Sequence, residues 1–305
     1  MTTQLLKRED LQQGDIILFS PYDDWESKLI AKMTNSKVTH SAMSYYTNYD
    51  IVEEIPPHVQ VAALKDRVEE RTIYVMRLDP PNPNMLPVLE RAKKYVGDQA
   101  PYSKVNLVFV GLYMLIKKEF LSHTEQKLLT KLLKVITVDL IKLINHQVFG
   151  DKHPFVCSQF VFNCYYSAGD EYILRIKQAS LSNSILRQIV GRSSMLLVRN
   201  RDLNNIKVLT EDFDVEKILE SLYHETNQDE FKHANVEIQD ELVNAVYDFS
   251  LAYHRAFVGE LKASESPLQK MLEFEEIFVT PGDLQTNIEN LLQLGILDND
   301  EVRDK

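Results

Sequence analysis

Cysteine is nearly absent from this chain, with only Cys157 and Cys164 among 305 residues. Two thiols seven positions apart are too few for a disulfide framework or a cysteine-rich zinc site, so a reducing compartment is expected. No uncharged apolar run approaches the roughly 20 residues that a membrane span needs. Residues 1–10 lack an apolar core followed by a small-residue cleavage site, so no secretory signal is read there. A cytoplasmic location follows, with peripheral membrane contact as the one alternative. Internal repeats and low-complexity tracts are missing as well. His224, His233 and His254 are scattered without metal-ligand spacing, His58 follows two prolines and reads as exposed, and His153 reads as a loop histidine. Neither a metal nor another cofactor is implied.

Excess positive charge is also lacking. The net charge is −11, and it is unevenly spread. Residues 205–305 hold 23 acidic and 8 basic residues, whereas residues 1–204 hold 22 acidic and 26 basic ones. The C-terminal third would repel phosphates, which argues against nucleic acid as a partner. The break near residue 205 also suggests a change of domain or role. Hydrophobic residues at 44% and charged residues at 26% are ordinary for a globular protein with a real core.

The first part of the chain reads as strands. Gly14-Asp15 introduces the apolar run Ile16–Phe19, and further strands are expected over 41–46, 50–55, 59–63 and 72–78. Helical spacing marks 25–33 and 86–96. Residues 104–147 differ: Leu128, Leu129, Leu132, Leu133, Ile136, Leu140 and Leu143 share one helical face, with lysines interleaved. Two readings fit this segment, core helices or a lid touching an anionic lipid surface. A helix over 155–168 ends at Gly169. Beyond residue 210 helices are expected over 214–226, 237–262, 267–278 and 284–294.

Two residues carry the candidate chemistry. Cys157 stands at the start of an apolar helix after Pro154, where unpaired N–H groups favour a thiolate and can receive an oxyanion. A lone cysteine on an apolar helix is more often simply packed. His40 stands at the start of a strand, and Glu53 and Glu54 follow on the next. A short turn at Thr47–Tyr49 would bring one of these carboxylates close to the imidazole, the task of a triad's third member.

These pieces together resemble the permuted NlpC-type papain-like cysteine amidases of the YiiX/YaeF kind. The matching stretches are Gly14-Asp15-Ile16-Ile17, Thr39-His40-Ser41-Ala42, Val52-Glu53-Glu54-Ile55, Val96-Gly97 with Pro101-Tyr102, and Phe155-Val156-Cys157-Ser158-Gln159-Phe160-Val161. Histidine before cysteine, the reverse of papain, is the specific feature. The resemblance implies an α+β fold, a circularly permuted papain-like antiparallel sheet packed on the Cys157 helix, with an additional helical region. It implies Cys157 as nucleophile, His40 as base and Glu53, in preference to Glu54, as the orienting acid. Tyr102 and Ser158 become polar neighbours of an amide- or ester-linked acyl or peptide substrate. Gln159 departs from the glutamate common at its position.

The implied organisation is a catalytic domain over 1–170 with an apolar insertion at 104–147, then an acidic helical region over 171–276. Residues 277–305 form a closing segment, because Thr280-Pro281-Gly282-Asp283-Leu284 resembles the family's last conserved stretch. Two rival functions share the fold. A lecithin:retinol acyltransferase-like enzyme has the permuted order, but its Asn-Cys-Glu-His-Phe-Val stretch is absent. A papain-like binding or scaffold protein without turnover is the other.

Overall fold

The computed structural model describes residues 4–55, 58–96, 105–145, 156–177, 183–193, 214–225, 236–257, 259, 261–262 and 265–303. The chain begins with β1 (Leu5–Leu6), β2 (Ile16–Phe19), α1 (Trp25–Met33), β3 (His40–Ser44), β4 (Asp50–Ile55), β5 (His58–Ala63) and β6 (Ile73–Leu78). Helices α2 (Leu86–Tyr95), α3 (Val105–Ile116), α4 (His123–Asn145), α5 (Cys157–Tyr166) and α6 (Ile185–Ser193) follow. Then come α7 (Val215–Glu225), α8 (Asp240–Phe257), α9 (Pro267–Glu275), α10 (Pro281–Thr286), β7 (Leu291–Leu297) and α11 (Asn299–Arg303). Two units form: Met1–Ser103, Pro154–Gln178 and Val279–Lys305 make the first, Lys104–His153 and Ala179–Phe278 the second.

The first unit is α+β. Its seven strands lie in the order β1-β7-β6-β2-β3-β4-β5. Strand β2 sits near the middle because all four of its residues are apolar and buried, as a strand covered on both faces requires. On one face Ile17, Phe19, Ala42, Ile51, Ile73 and Val75 join Leu64, Val68 and Val302 in a single cluster. Helix α5 packs on β3 and β4. The sheet is mixed, where a wholly antiparallel one was expected: β1 runs parallel to β7. Gly295 makes that pairing feasible, since a Cβ there would collide with the Gln4 carbonyl.

The sequence stretch 284–294 reads as a helix, and the fold corrects it. Helix α10 stops at Thr286, and Leu291–Leu297 instead pairs antiparallel with β6. Leucine-rich spacing favours a helix locally, but the open edge of β6 offers a ladder of backbone partners that only tertiary structure can supply. Residues 173–177 clasp the turn before β7: Lys177 N donates to Asn287 O at 2.9 Å, Glu289 N to Arg175 O at 2.8 Å, and Arg175 N to Asn290 Oδ1 at 2.8 Å.

Buried bonds fix α5 against this sheet. The Tyr165 hydroxyl donates to the Gly14 carbonyl. Gly14 itself has a φ of +82° with Met85 crowding its Cα, a position only glycine tolerates well. The next residue, Asp15, takes Arg77 through Nε and a terminal nitrogen at 2.7 and 2.6 Å. At the other end of α5, Ser158 Oγ donates to Val279 O at 2.8 Å, and Val279 N to Gln159 Oε1 at 3.3 Å. Val279 is held in turn by the capping box of α10, in which Thr280 and Asp283 exchange side-chain and backbone bonds.

The second unit is helical. The leucine face of α4 is buried at Leu128, Leu129, Leu132, Leu133, Ile136 and Leu140, and α4 packs against α3, α7 and α8. Leu107–Ile116 is almost wholly buried too. The apolar side chains described in this segment are thus largely buried, while Lys127, Lys131 and Lys142 stay exposed. Among the described residues no helix is long and apolar enough to cross a membrane. Leu143's side chain and His153 lie outside the described residues.

Tyr165→Phe should cost about 1–3 kcal/mol, because it strands the buried Gly14 carbonyl without a donor. Urea unfolding of the full chain measures this; an unshifted midpoint would mean that the hydroxyl contributes nothing.

Candidate functional site

His40 is the first residue of β3. Thr39 N donates to Phe19 O at 2.9 Å, which fixes the strand's start beside the end of β2. In the β3–β4 ladder Ala42 faces Glu53. With a side-chain period of two, His40 and Glu53 therefore share a side of the sheet, on adjacent strands. His40 Nε2 meets Glu53 Oε2 at 2.9 Å. The other carboxylate oxygen, Oε1, accepts from Arg67 Nε at 2.8 Å and from Gln60 Nε2 at 3.4 Å. The Phe19 ring lies tilted against the imidazole, 5.6 Å between centroids.

With Nε2 committed to Glu53, Nδ1 is the ring nitrogen left for the sulfur. Cys157, the first residue of α5, lies within hydrogen-bonding reach of His40, and the Ser41 backbone N–H also faces it. The amides of the first helical turn have no intrahelical carbonyl to bond. Cys157 is 8% exposed and the His40 side chain 16%, while Glu53 is fully buried.

Electrostatics follow from this arrangement. Burial works against charge on His40, but the sulfur and the Glu53 carboxylate outweigh it and raise the imidazole pKa to about 9. Burial likewise works against the thiolate, yet the charge and hydrogen bond of His40, aided by Ser41, hold Cys157 below its ordinary value. Glu53 is lowered too: burial would raise it, and His40 and Arg67 prevail. Cys164, with no such partners, is only pushed up by burial. The two cysteines thus have opposite character. The pairing with His40 favours the charged form of the first, and burial favours the neutral thiol in the second.

The structure brings His40, Cys157 and Glu53 together. Ser158 does not join them as a substrate-facing group: its side chain is fully buried and its hydroxyl is used on Val279 O. Tyr102 lies outside the described residues, as do Gly97, Pro101, Pro154 and Phe155. Glu54 is buried on the same strand as Glu53 but points to the opposite side. Sequence reasoning missed Arg67 and Arg71. Arg67 anchors the far oxygen of Glu53 from a turn 14 residues on, a separation that carries no pattern. Arg71 lies over the rings of Phe19 and Tyr22, at 4.7 and 4.0 Å, and donates to Ser20 O at 2.7 Å. Among the described residues no group of three or more His, Cys, Asp or Glu is placed to hold a metal ion. His254 bonds Gly259 O through Nδ1 at 3.1 Å in the helical unit.

No family model matches this chain, and no curated protein does. Among solved structures, a match is the crystal structure of the metalloprotein YiiX from Escherichia coli O157:H7, at 19% identity and a TM-score of 0.33. The match covers 59% of this chain and 81% of that one.

Proposed function

We propose that this chain is a cysteine hydrolase of the permuted papain-like, YiiX-like type, acting on amide- or ester-linked acyl or peptide substrates. The observation that carries the reading is the imidazole of His40 held at 2.9 Å by Glu53 on one side and facing Cys157 on the other. An inert papain-like scaffold has no use for a thiol held below its ordinary pKa.

The chemistry runs through these three residues. The Cys157 thiolate attacks the substrate carbonyl carbon, and the carbonyl electron pair moves onto oxygen, where the free amides at the start of α5 receive it. The oxyanion collapses, the bond to the leaving amine or alcohol breaks, and the His40 imidazolium gives that group its proton. His40, now neutral, takes a proton from water as the water oxygen attacks the thioester. The second collapse releases the acid and restores the thiolate. Glu53 keeps the ring oriented and stabilises its cation in both halves.

Cys157→Ala and His40→Ala should each abolish covalent labelling by a panel of acyl probes, read as intact mass. An adduct persisting in Cys157→Ala would refute the assignment. Glu53→Gln should lower kcat/KM by about 10²–10⁴-fold, since a neutral amide cannot stabilise the imidazolium; parent-like turnover would remove Glu53 from the triad.

The pH dependence has a definite sign. Lowering the Cys157 pKa makes thiolate available on the acidic side of the ordinary thiol range, and raising that of His40 keeps the imidazolium until about pH 9. Iodoacetamide should alkylate Cys157 well below the usual thiol range. The profile of kcat/KM should be bell-shaped, falling near pH 9 as the leaving group loses its proton donor. A profile still rising through pH 10 contradicts this.

A further inference from the structure

One short stretch, residues 279–282, touches both halves of the reacting pair, although no atom of it reacts. Its first residue holds the helix that carries Cys157: Val279 O accepts from Ser158 Oγ at 2.8 Å, and Val279 N donates to Gln159 Oε1 at 3.3 Å. Both side chains stand in the first turn of α5 and are buried. Its last residue meets the loop that leads from α1 into His40. A methyl group on Gly282 would lie 2.7 Å from Ser36 Oγ and 2.9 Å from Ser36 Cβ, against the roughly 3.5–4.0 Å of a relaxed contact.

Neither side of this contact yields easily. Ser36 Oγ accepts from Val38 N at 3.1 Å, and Ser36 N donates to Ala31 O at 2.9 Å where α1 ends. Turning the hydroxyl away would break the first bond and still leave Cβ in the path. Val38 is fully buried and Thr39 N bonds Phe19 O at 2.9 Å, so the loop is tied down between Ser36 and His40. On the other side, Pro281 is buried and the Thr280–Asp283 capping box fixes the first turn of α10. Gly282 itself has helical backbone, where alanine is the better residue. What glycine offers there is space. A side chain at that position would have to part α10 from the loop, and with it the start of the Cys157 helix from the start of the His40 strand.

We propose that Gly282 is a positioning residue of the site: lacking a side chain, it lets the start of α10 seat against the α1–β3 loop, and residues 279–282 thereby brace His40 and Cys157 at hydrogen-bonding distance. The inference rests on the cysteine–histidine reading above and deepens it. The brace makes and breaks no covalent bond and carries no proton. It acts only through the spacing of the imidazole and the sulfur.

The test is the pH profile of Cys157 alkylation by iodoacetamide in the full-length chain, followed by intact mass. Gly282→Ala should move the inflection up by about one pH unit, with about tenfold less thiolate on its acidic side, because the sulfur loses its imidazolium partner. In a Ser36→Gly background, where both clashing atoms are gone, the same substitution should shift the inflection by less than half as much. An unshifted inflection in Gly282→Ala, or equal shifts in the two backgrounds, overturns the proposal. If Gly282→Ala does not fold, Ser158→Ala tests the brace from its other end. It should raise the inflection as well, and no shift there overturns the proposal. The two readings fail distinguishably. A parent protein whose Cys157 reacts only in the ordinary thiol range removes the hydrolase assignment and the brace with it, whereas a reactive parent with an indifferent Gly282→Ala variant removes the brace alone.

Discussion

The buried carboxylate of Glu53 cannot keep its charge unless both its oxygens are occupied, and much of the site is arranged around that need. One oxygen takes His40 at 2.9 Å and the other Arg67 at 2.8 Å. Removing an ion from water costs several kcal/mol, so a buried charge survives only with close, well-directed partners. Arg67 pairs with the carboxylate at one oxygen, and at the other the same carboxylate favours the protonated form of His40. The proton that makes His40 cationic then makes a thiolate favourable at Cys157. Three ionisations are in this way coupled through one imidazole.

The scaffold reflects this coupling. The Cys157–His40 contact depends on the position of α5, and α5 is fastened at both ends. Tyr165 bonds the Gly14 carbonyl at the C-terminal end, while Ser158 and Gln159 bond Val279 at the N-terminal end. The stretches Gly14-Asp15 and Thr280-Pro281-Gly282-Asp283 bear no reacting atom. They are anchors, one supplying a backbone carbonyl at a left-handed glycine and the other a capped turn that presents Val279. Ser158, which motif position alone would place among substrate contacts, belongs to this anchoring set.

Legibility varied with the range of the forces involved. Strands β2 to β6 lie close to the sequence reading because their apolar runs and turn residues are local signals. The leucine stripe of α4 was equally plain, and the helix packs it against α7 and α8. Residues 284–294 misled, since leucine spacing there is helical while the partner that makes Leu291–Leu297 a strand is β6, more than 200 positions earlier. The choice between Glu53 and Glu54 rested on family likeness. The strand register gives it physical meaning, because a one-residue step reverses the side of the sheet.

By itself the sequence determined the elements that local periodicity and turn chemistry specify, and it singled out an early histidine and a later cysteine as the chemically interesting pair. Tertiary structure alone decided that a sulfur 117 positions beyond the imidazole meets it, and that Arg67 is the third party to the charge balance. It also decided which of the two cysteines has its pKa lowered and which has it raised. The reason is physical: ionisation of a buried group depends on what lies within a few ångströms in space, and no local pattern in a chain encodes that distance.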